Sequence, residues 1–223
     1  MTASESTLPD PYRRNPIWFG FQILMRISFA ILFRYRARHP ERIPESTGGL
    51  ILGNHQSFLD PLLIGLPLQR PVSYIARENL FQIPIIGWIL RRTYVMPINR
   101  ESAGSGSVRD AVRRIKAGFL VGVFPEGTRS TDGELGEIKP GFIALARRAQ
   151  QPIYPVGIAG AYRAMPKGRL KLYPRKIRVV YGEPIPAEEV KRLAKKGNEE
   201  EFLRVIREHL QACLNEANRW YHS

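Results

Sequence analysis

The sequence predicts an α/β fold, a β-sheet flanked by helices, with a core that is stable by itself. One observation supports the fold class, and the other supports the core. Short apolar runs alternate with helix-forming segments from residue 48 onward, a pattern typical of α/β proteins. A chain of 223 residues can bury roughly 70% of its unfolded surface, so its core needs no disulfide or structural metal. One cysteine and four scattered histidines exclude disulfide scaffolds, zinc fingers and iron–sulfur sites.

The first part of the chain divides into a polar tail and an apolar segment. Residues 1–15 contain Ser, Thr and Pro and predict a flexible tail. Residues 17–33 are almost wholly apolar but include Gln22 and Arg26, and this arginine would lie near the middle of a bilayer if the segment crossed it. We therefore predict that residues 16–38 form a helix in the membrane interface. The alternative is an ordinary helix of the protein core.

The rest of the chain predicts one domain, residues 39–223. Apolar runs of four to six residues predict strands at 49–52, 72–76, 95–98, 119–124, 153–158 and 177–181. Amphipathic or helix-forming patterns predict helices at 61–68, 108–117 and 141–150, and again from residue 186. Ligands bind at the carboxyl ends of strands in such folds, so the loops that follow strands are the candidate sites.

The charge of the chain is positive and concentrated. Lys and Arg number 34 against 20 Asp and Glu, a net charge of +14. Residues 138–182 contain ten basic residues and no acidic one. A field of one sign predicts a polyanionic partner, which can be an anionic membrane, a phosphorylated small molecule or a nucleic acid.

The first candidate loop, residues 54–60, reads Asn-His-Gln-Ser-Phe-Leu-Asp. In a continuous helix, residues five apart are rotated by ~140°, so His55 and Asp60 would not meet. If Asp60 instead caps a helix that begins at Pro61, the loop can fold His55 back over it. The carboxylate then accepts a hydrogen bond from one ring nitrogen, and the other nitrogen becomes a general base. The alternative is that Asp60 and Pro61 only start a helix.

The second candidate loop, residues 124–130, reads Phe-Pro-Glu-Gly-Thr-Arg-Ser. A glycine and hydroxyl groups at a strand exit can present backbone N–H groups to an anion. Arg129 can bind a phosphate through two parallel hydrogen bonds. Alone, this loop is equally compatible with a surface turn, but the two loops together are far more specific than either one.

The two loops resemble sequence blocks of the glycerolipid acyltransferase superfamily, and in particular those of bacterial lysophosphatidic acid acyltransferases. The block N-H-x-x-x-x-D is present as Asn54, His55 and Asp60, and the block F-P-E-G-T-R-S is matched without a change by residues 124–130. Residues 97–100 (Pro-Ile-Asn-Arg) are similar to a further block that ends in arginine.

The resemblance implies a fold and a reaction. The fold is a single mixed β-sheet flanked by helices, as in glycerol-3-phosphate acyltransferases. The reaction transfers an acyl group from a thioester, acyl-coenzyme A or acyl carrier protein, to the sn-2 hydroxyl of 1-acyl-sn-glycerol 3-phosphate (lysophosphatidic acid), giving phosphatidic acid. The donor is a co-substrate, and no metal or resident cofactor is expected.

The resemblance also implies roles for single residues. His55 is the expected base, and Asp60 fixes its tautomer. The expected substrate-binding residues are Arg100, Glu126, Gly127, Thr128, Arg129 and Lys139. The expected partners are lysophosphatidic acid, the acyl donor and an anionic phospholipid membrane, but not nucleic acid. The expected location is the cytoplasmic face of the cell membrane, as a peripheral or monotopic protein.

Two alternatives remain open at this point. The acceptor could be glycerol 3-phosphate, another lysophospholipid or a lyso-amino lipid, because the motifs specify the transfer more than the acceptor. A non-enzymatic basic protein that binds a membrane or nucleic acid would explain the charge equally well. That second alternative leaves the two loops unexplained.

Overall fold

The structure, a computed structural model, describes residues 10–11, 16–77, 81–84, 87–88, 90, 95–98, 106–169 and 171–223. The strands are β1 (Arg36–Arg38), β2 (Gly49–Gly53), β3 (Val72–Arg77), β4 (Met96–Ile98), β5 (Leu120–Val123), β6 (Ile153–Ala159) and β7 (Arg178–Tyr181). The helices are α1 (Pro16–Phe33), α2 (Asp60–Gly65), α3 (Gly106–Lys116), α4 (Gly141–Ala149), α5 (Ala161–Ala164), α6 (Ala187–Leu193) and α7 (Glu199–His222), with a 3₁₀ turn at Pro40–Arg42.

The described strands form one mixed sheet, which confirms the predicted fold class. Their order is β1-β7-β6-β2-β5-β3-β4. Neighbouring strands run parallel except β6 and β7, which are antiparallel. β2 lies between β5 and β6. Because β2 and β5 are parallel neighbours, the loops that follow them leave the same end of the sheet.

The core lies on both faces of this sheet because side chains alternate along each strand. In β2, Ile51 belongs to one buried cluster, whereas Leu50 and Leu52 belong to the other. Helices α1, α2 and α5 cover the first face, and α3, α4, α6 and most of α7 cover the second. The apolar runs read as strands are therefore buried on two sides, as expected for a largely parallel sheet.

The N-terminal segment is a helix, but it is not separate from the domain. Phe29 and Phe33 of α1 are buried in the core. β1 pairs in parallel with β7, although the sequence analysis starts the domain only at residue 39. The domain therefore includes the second half of α1 and β1, because their removal would expose one cluster and one sheet edge. The predicted tail lies outside the described residues, apart from residues 10 and 11.

Candidate active site

The two candidate loops leave parallel neighbouring strands and are bonded to each other. The backbone oxygen of His55 accepts a hydrogen bond from the Ser130 amide at 2.7 Å. Gln56 Nε2 donates to the Gly133 carbonyl at 2.7 Å. These contacts join residues more than seventy positions apart in sequence, so the fold holds both loops as one unit.

The side chains of His55 and Asp60 form a hydrogen-bonded pair. The distance between His55 Nδ1 and Asp60 Oδ2 is 2.8 Å. The amides of Gln56 and Ser57 donate to the same oxygen at 2.6 and 2.7 Å. Asp60 thus opens α2, but its carboxylate reaches back into the loop instead of capping the helix. With Nδ1–H donated to Asp60, Nε2 is the nitrogen left to accept a proton.

Burial and stacking hold this pair. Asp60 is fully buried, and 20% of the His55 side chain is exposed. Burial raises the pKa of Asp60, while the hydrogen bonds from His55, Ser57 and Gln56 act in the opposite direction. The His55 ring is stacked on Phe124, with centroids 4.1 Å apart. The imidazole therefore has a fixed plane as well as a fixed hydrogen bond.

Two further side chains of the first loop fix its backbone. Asn54 exchanges hydrogen bonds with the Ile158 backbone, its Nδ2 with the carbonyl at 3.0 Å and its Oδ1 with the amide at 2.7 Å. Ser57 Oγ donates to the Met165 carbonyl at 3.0 Å. Asn54 and Ser57 are buried, so protein contacts alone shape this loop.

Glu126 joins the two loops through both of its carboxylate oxygens. Oε1 accepts from the His55 amide at 2.7 Å, and Oε2 accepts from the Gly136 amide at 2.9 Å. The residue is 3% exposed. Burial raises the pKa of its carboxyl group, against the effect of the two amides. Glu126 is one of the predicted substrate-binding residues, whereas in the structure both of its carboxylate oxygens accept from backbone amides.

Basic side chains surround the second loop. Lys167 Nζ donates to Thr128 Oγ1 and to the Arg129 carbonyl, both at 3.0 Å. Among the described residues, none accepts a hydrogen bond from the half-buried Arg129 guanidinium. The exposed Lys139 side chain lies beside Gly127, where an added Cβ would be 3.6 Å from Lys139 Cδ. Gly127 has a φ of +67°, a backbone conformation that favours glycine.

The structure describes seven of the eight predicted site residues. Most of the predicted residues lie on the two loops or beside them: His55, Asp60, Glu126, Gly127, Thr128, Arg129 and Lys139. Arg100 lies outside the described residues. Lys167 is not among the predicted residues, because it is 39 positions from Thr128 and meets it only through the fold. Within the described ranges, no group of three His, Cys, Asp or Glu could hold a metal ion.

Comparisons with known proteins agree on one family. Residues 34–159 match the family described as Acyltransferase. The chain is 33% identical over 180 residues to the chloroplastic 1-acyl-sn-glycerol-3-phosphate acyltransferase LPAT1 of Arabidopsis thaliana, covering 79% of this chain and 50% of that protein. It is 30% identical over 148 residues to 1-acyl-sn-glycerol-3-phosphate acyltransferase of Bacillus subtilis, covering 65% and 70%.

A solved structure is similar over most of the fold. It is the crystal structure of the 1-acyl-sn-glycerophosphate (LPA) acyltransferase PlsC from Thermotoga maritima, with a TM-score of 0.76 and 27% identity. The match covers 90% of this chain and 79% of that one. The chain spans about half the length of the chloroplast relatives that it matches.

Proposed function

Because this chain belongs to the acyltransferase family, we propose that it transfers an acyl group from a thioester to the sn-2 hydroxyl of 1-acyl-sn-glycerol 3-phosphate. The product is phosphatidic acid. The observation that carries this proposal is the 2.8 Å pair of His55 and Asp60, bonded through its own loop to a second loop that presents Arg129. The names of the relatives support the acceptor.

In this reaction, His55 acts as the general base. Its Nε2 takes the proton of the sn-2 hydroxyl while that oxygen bonds to the thioester carbonyl carbon. The carbon–sulfur bond then breaks, and the leaving thiolate takes the proton from His55. Asp60 keeps the required tautomer and stabilises the imidazolium. A thiolate is a good leaving group, so the transfer needs no serine or cysteine nucleophile.

The only cysteine fits this mechanism as a bystander. Cys213 is buried in α7, and its Sγ lies 3.8 Å from the Pro155 carbonyl. Burial raises the pKa of its thiol to about 12, so little nucleophilic thiolate forms near neutral pH. The chain therefore offers no activated thiol that would compete with direct transfer.

Arg129 is proposed to bind the acceptor phosphate, with Gly127, Thr128, Lys139 and Arg100 as further binding residues. A charge-assisted hydrogen-bond pair contributes roughly 1.5–3 kcal/mol, so Arg129→Ala should lower kcat/KM about 10–100-fold. The KM for lysophosphatidic acid should rise, while the KM for the donor stays near wild type. Arg204→Ala, on the exposed face of α7, is the control. A defect confined to the donor KM would reassign Arg129.

Two polar side chains of α1 face the protein while apolar ones are exposed, and this arrangement agrees with the proposed lipid substrate. Gln22 is buried and donates to the carbonyls of Gly65, Leu66 and Leu68 at 3.2, 3.0 and 2.6 Å. Arg26 also donates to the Leu66 carbonyl. Both of these polar side chains thus face the protein.

Apolar side chains occupy the outer face of the same helix. Ile23, Leu24, Ile27 and Ile31 are between 41% and 78% exposed, and a contiguous apolar face of this kind fits a lipid interface. No helix among the described residues has the length and apolar content to cross a bilayer. We propose that α1 holds the protein on an anionic membrane as a peripheral protein, and the cytoplasmic face stays a prediction.

The double variant Ile27→Glu/Ile31→Glu tests this contact. Burying each isoleucine contributes on the order of 1 kcal/mol, so partitioning onto liposomes should weaken roughly 10–100-fold. Sedimentation with phosphatidylglycerol-containing liposomes at high salt measures it, because salt screens the basic surface. Leu172→Glu, another exposed apolar position, is the matched control. Equal binding of the double variant and the wild type would contradict a lipid-facing α1.

One experiment tests the proposed reaction directly. The purified protein is incubated with lysophosphatidic acid, lysophosphatidylcholine or glycerol 3-phosphate, each with acyl-coenzyme A and with acyl carrier protein, and the products are identified by mass spectrometry. Phosphatidic acid from lysophosphatidic acid is the expected product. A product from another acceptor only would overturn the acceptor, and no transfer by folded protein would favour the non-enzymatic alternative.

A further inference from the structure

The phenol ring of Tyr74 in β3 belongs to the surroundings of the His55–Asp60 pair. In the register of the sheet, Tyr74 is paired with Gly122 of β5. An added Cβ at Gly122 would be 2.1 Å from Tyr74 Cε1, so the ring lies across this glycine. The ring is stacked with Phe124, with centroids 5.8 Å apart and planes 10° apart. Phe124 is also the ring on which His55 is stacked, so the sheet holds Tyr74 close to the pair.

The hydroxyl group of Tyr74 is a buried donor that none of the described residues accepts from. The residue is 7% exposed, and tyrosine hydroxyls at such burial usually have a partner. Two nearby tyrosines follow this rule. The Tyr35 hydroxyl donates to the Leu63 carbonyl of α2 at 2.7 Å, and the Tyr181 hydroxyl donates to the carbonyl of the next residue, Ile64. The Tyr74 hydroxyl thus differs from its neighbours in lacking an acceptor.

One oxygen of the Asp60 carboxylate lacks a donor. Oδ2 accepts from His55 Nδ1 and from the amides of Gln56 and Ser57. Oδ1 is also buried, but it accepts from no residue in the part of the chain that the structure describes. Each oxygen of a carboxylate can accept hydrogen bonds, and a buried one without a donor destabilises the ionised form. The Asp60 oxygen and the Tyr74 hydroxyl are therefore complementary, one as acceptor and the other as donor.

The charge of Asp60 reaches Tyr74. Burial raises the pKa of the Tyr74 phenol, and the negative Asp60 raises it further, so the phenol keeps its proton and can donate near neutral pH. The other titratable or charged groups that face these two residues are His55 and Glu126 at the site and Tyr35, Tyr181 and Arg26 at the other end of α2. Each of them already forms its own hydrogen bonds. Tyr74 is therefore the donor that fits Asp60 Oδ1.

We propose that Tyr74 is a positioning residue of the His55–Asp60 pair, and that its hydroxyl donates to Asp60 Oδ1 across one buried water molecule. Such a water accepts from the phenol and donates to the carboxylate, so a single molecule satisfies both atoms. The bond stabilises the negative charge of Asp60, and Asp60 in turn holds the tautomer of His55. The proposal rests on the proposed function for the reaction that the pair performs.

Tyr74→Phe removes the hydroxyl and keeps the ring with its stacking. A donor favours the ionised carboxylate, so without it the His55–Asp60 pair holds a proton more tightly and takes it up at a higher pH. One charge-assisted hydrogen bond changes an equilibrium about tenfold, so the midpoint of this titration should rise by about one pH unit. Histidine NMR of the full chain measures the midpoint without substrate. The His55 signal is assigned by its loss in His55→Ala.

Tyr35→Phe is the matched control, because it also removes a tyrosine hydroxyl but one that donates to the Leu63 carbonyl. Its midpoint should equal that of the wild type. An unchanged midpoint in Tyr74→Phe, or an equal shift in both variants, would overturn the proposal. A crystal structure of the wild type does not depend on how the variants fold. It should show one water within hydrogen-bond distance of both Tyr74 Oη and Asp60 Oδ1, and no water at that position would contradict the bridge.

The pH dependence of acyl transfer separates positioning from support of the fold. In Tyr74→Phe, the acid limb of kcat/KM should move up by about one pH unit, while the plateau at higher pH stays close to that of the wild type. A loss of equal size at every pH would overturn the proposal, because it would indicate support of the fold alone. A shifted NMR midpoint in a protein that transfers no acyl group would instead overturn the proposed function and leave the Tyr74 contact intact.

Discussion

Replacing His55 by alanine is expected to lower the rate of acyl transfer roughly 10²–10⁴-fold, the usual loss when a positioned general base is removed. The kcat at saturating donor and acceptor measures the effect. Asp60→Asn should lose less, because the imidazole remains but its tautomer is no longer fixed. His209→Ala, a histidine on α7 outside both loops, is the control. Wild-type turnover by a folded His55→Ala protein would contradict the assignment.

The fold should survive this substitution. The hydrogen bonds by which residue 55 joins the loops are made by its backbone, the amide with Glu126 and the carbonyl with Ser130. Alanine keeps both and loses only the stacking of the ring on Phe124. The Asp60 carboxylate would still accept from the amides of Gln56 and Ser57. Circular dichroism and the thermal midpoint should therefore change little, and a large kinetic loss would report on chemistry.

The strands that the sequence analysis predicted share one property, an apolar run long enough to be buried on both faces of the sheet. β1 lacks it. Its three residues are Arg-Ala-Arg, and it lies at the edge of the sheet beside β7, where charged side chains can remain exposed. Such a strand is specified by its partner and not by its own composition. For the same reason, the sequence placed the domain boundary after it.

The candidate site was predictable only in part for a similar reason. The loop positions follow from the strands, and the return of His55 onto Asp60 was predicted from a helix start at Pro61, one residue after the observed start at Asp60. The contacts of charged side chains depend on distant segments. Arg169 lines a cavity, whereas Arg178, from the same basic stretch, is buried, donates to the Arg34 carbonyl and stacks on Trp220. The predicted strand at 177–181 includes Arg178 and not Arg169, but the identity of the groups that meet each guanidinium depends on the fold.

Glu126 was predicted to bind the substrate, but in the structure it holds the backbone of the two loops. Its two oxygens each accept from one backbone amide, those of His55 and Gly136. A carboxylate can accept both bonds, but a glutamine offers one acceptor and one NH₂ donor. In Glu126→Gln, one amide must therefore face a donor, and relief of that repulsion moves either the His55 loop or the segment at residue 136.

We expect Glu126→Gln to lower kcat on the order of 100-fold while the KM for lysophosphatidic acid stays close to the wild-type value. A displacement of about 1 Å at a catalytic group can cost that much in rate, and no phosphate contact is removed. Glu134→Gln, an exposed glutamate of the same segment, keeps the same change of charge and should behave as wild type. If the Glu126 variant instead keeps its kcat and raises the acceptor KM, the side chain contacts the substrate, as the sequence analysis expects. The division of the defect between kcat and KM thus decides between positioning the base and binding the lipid.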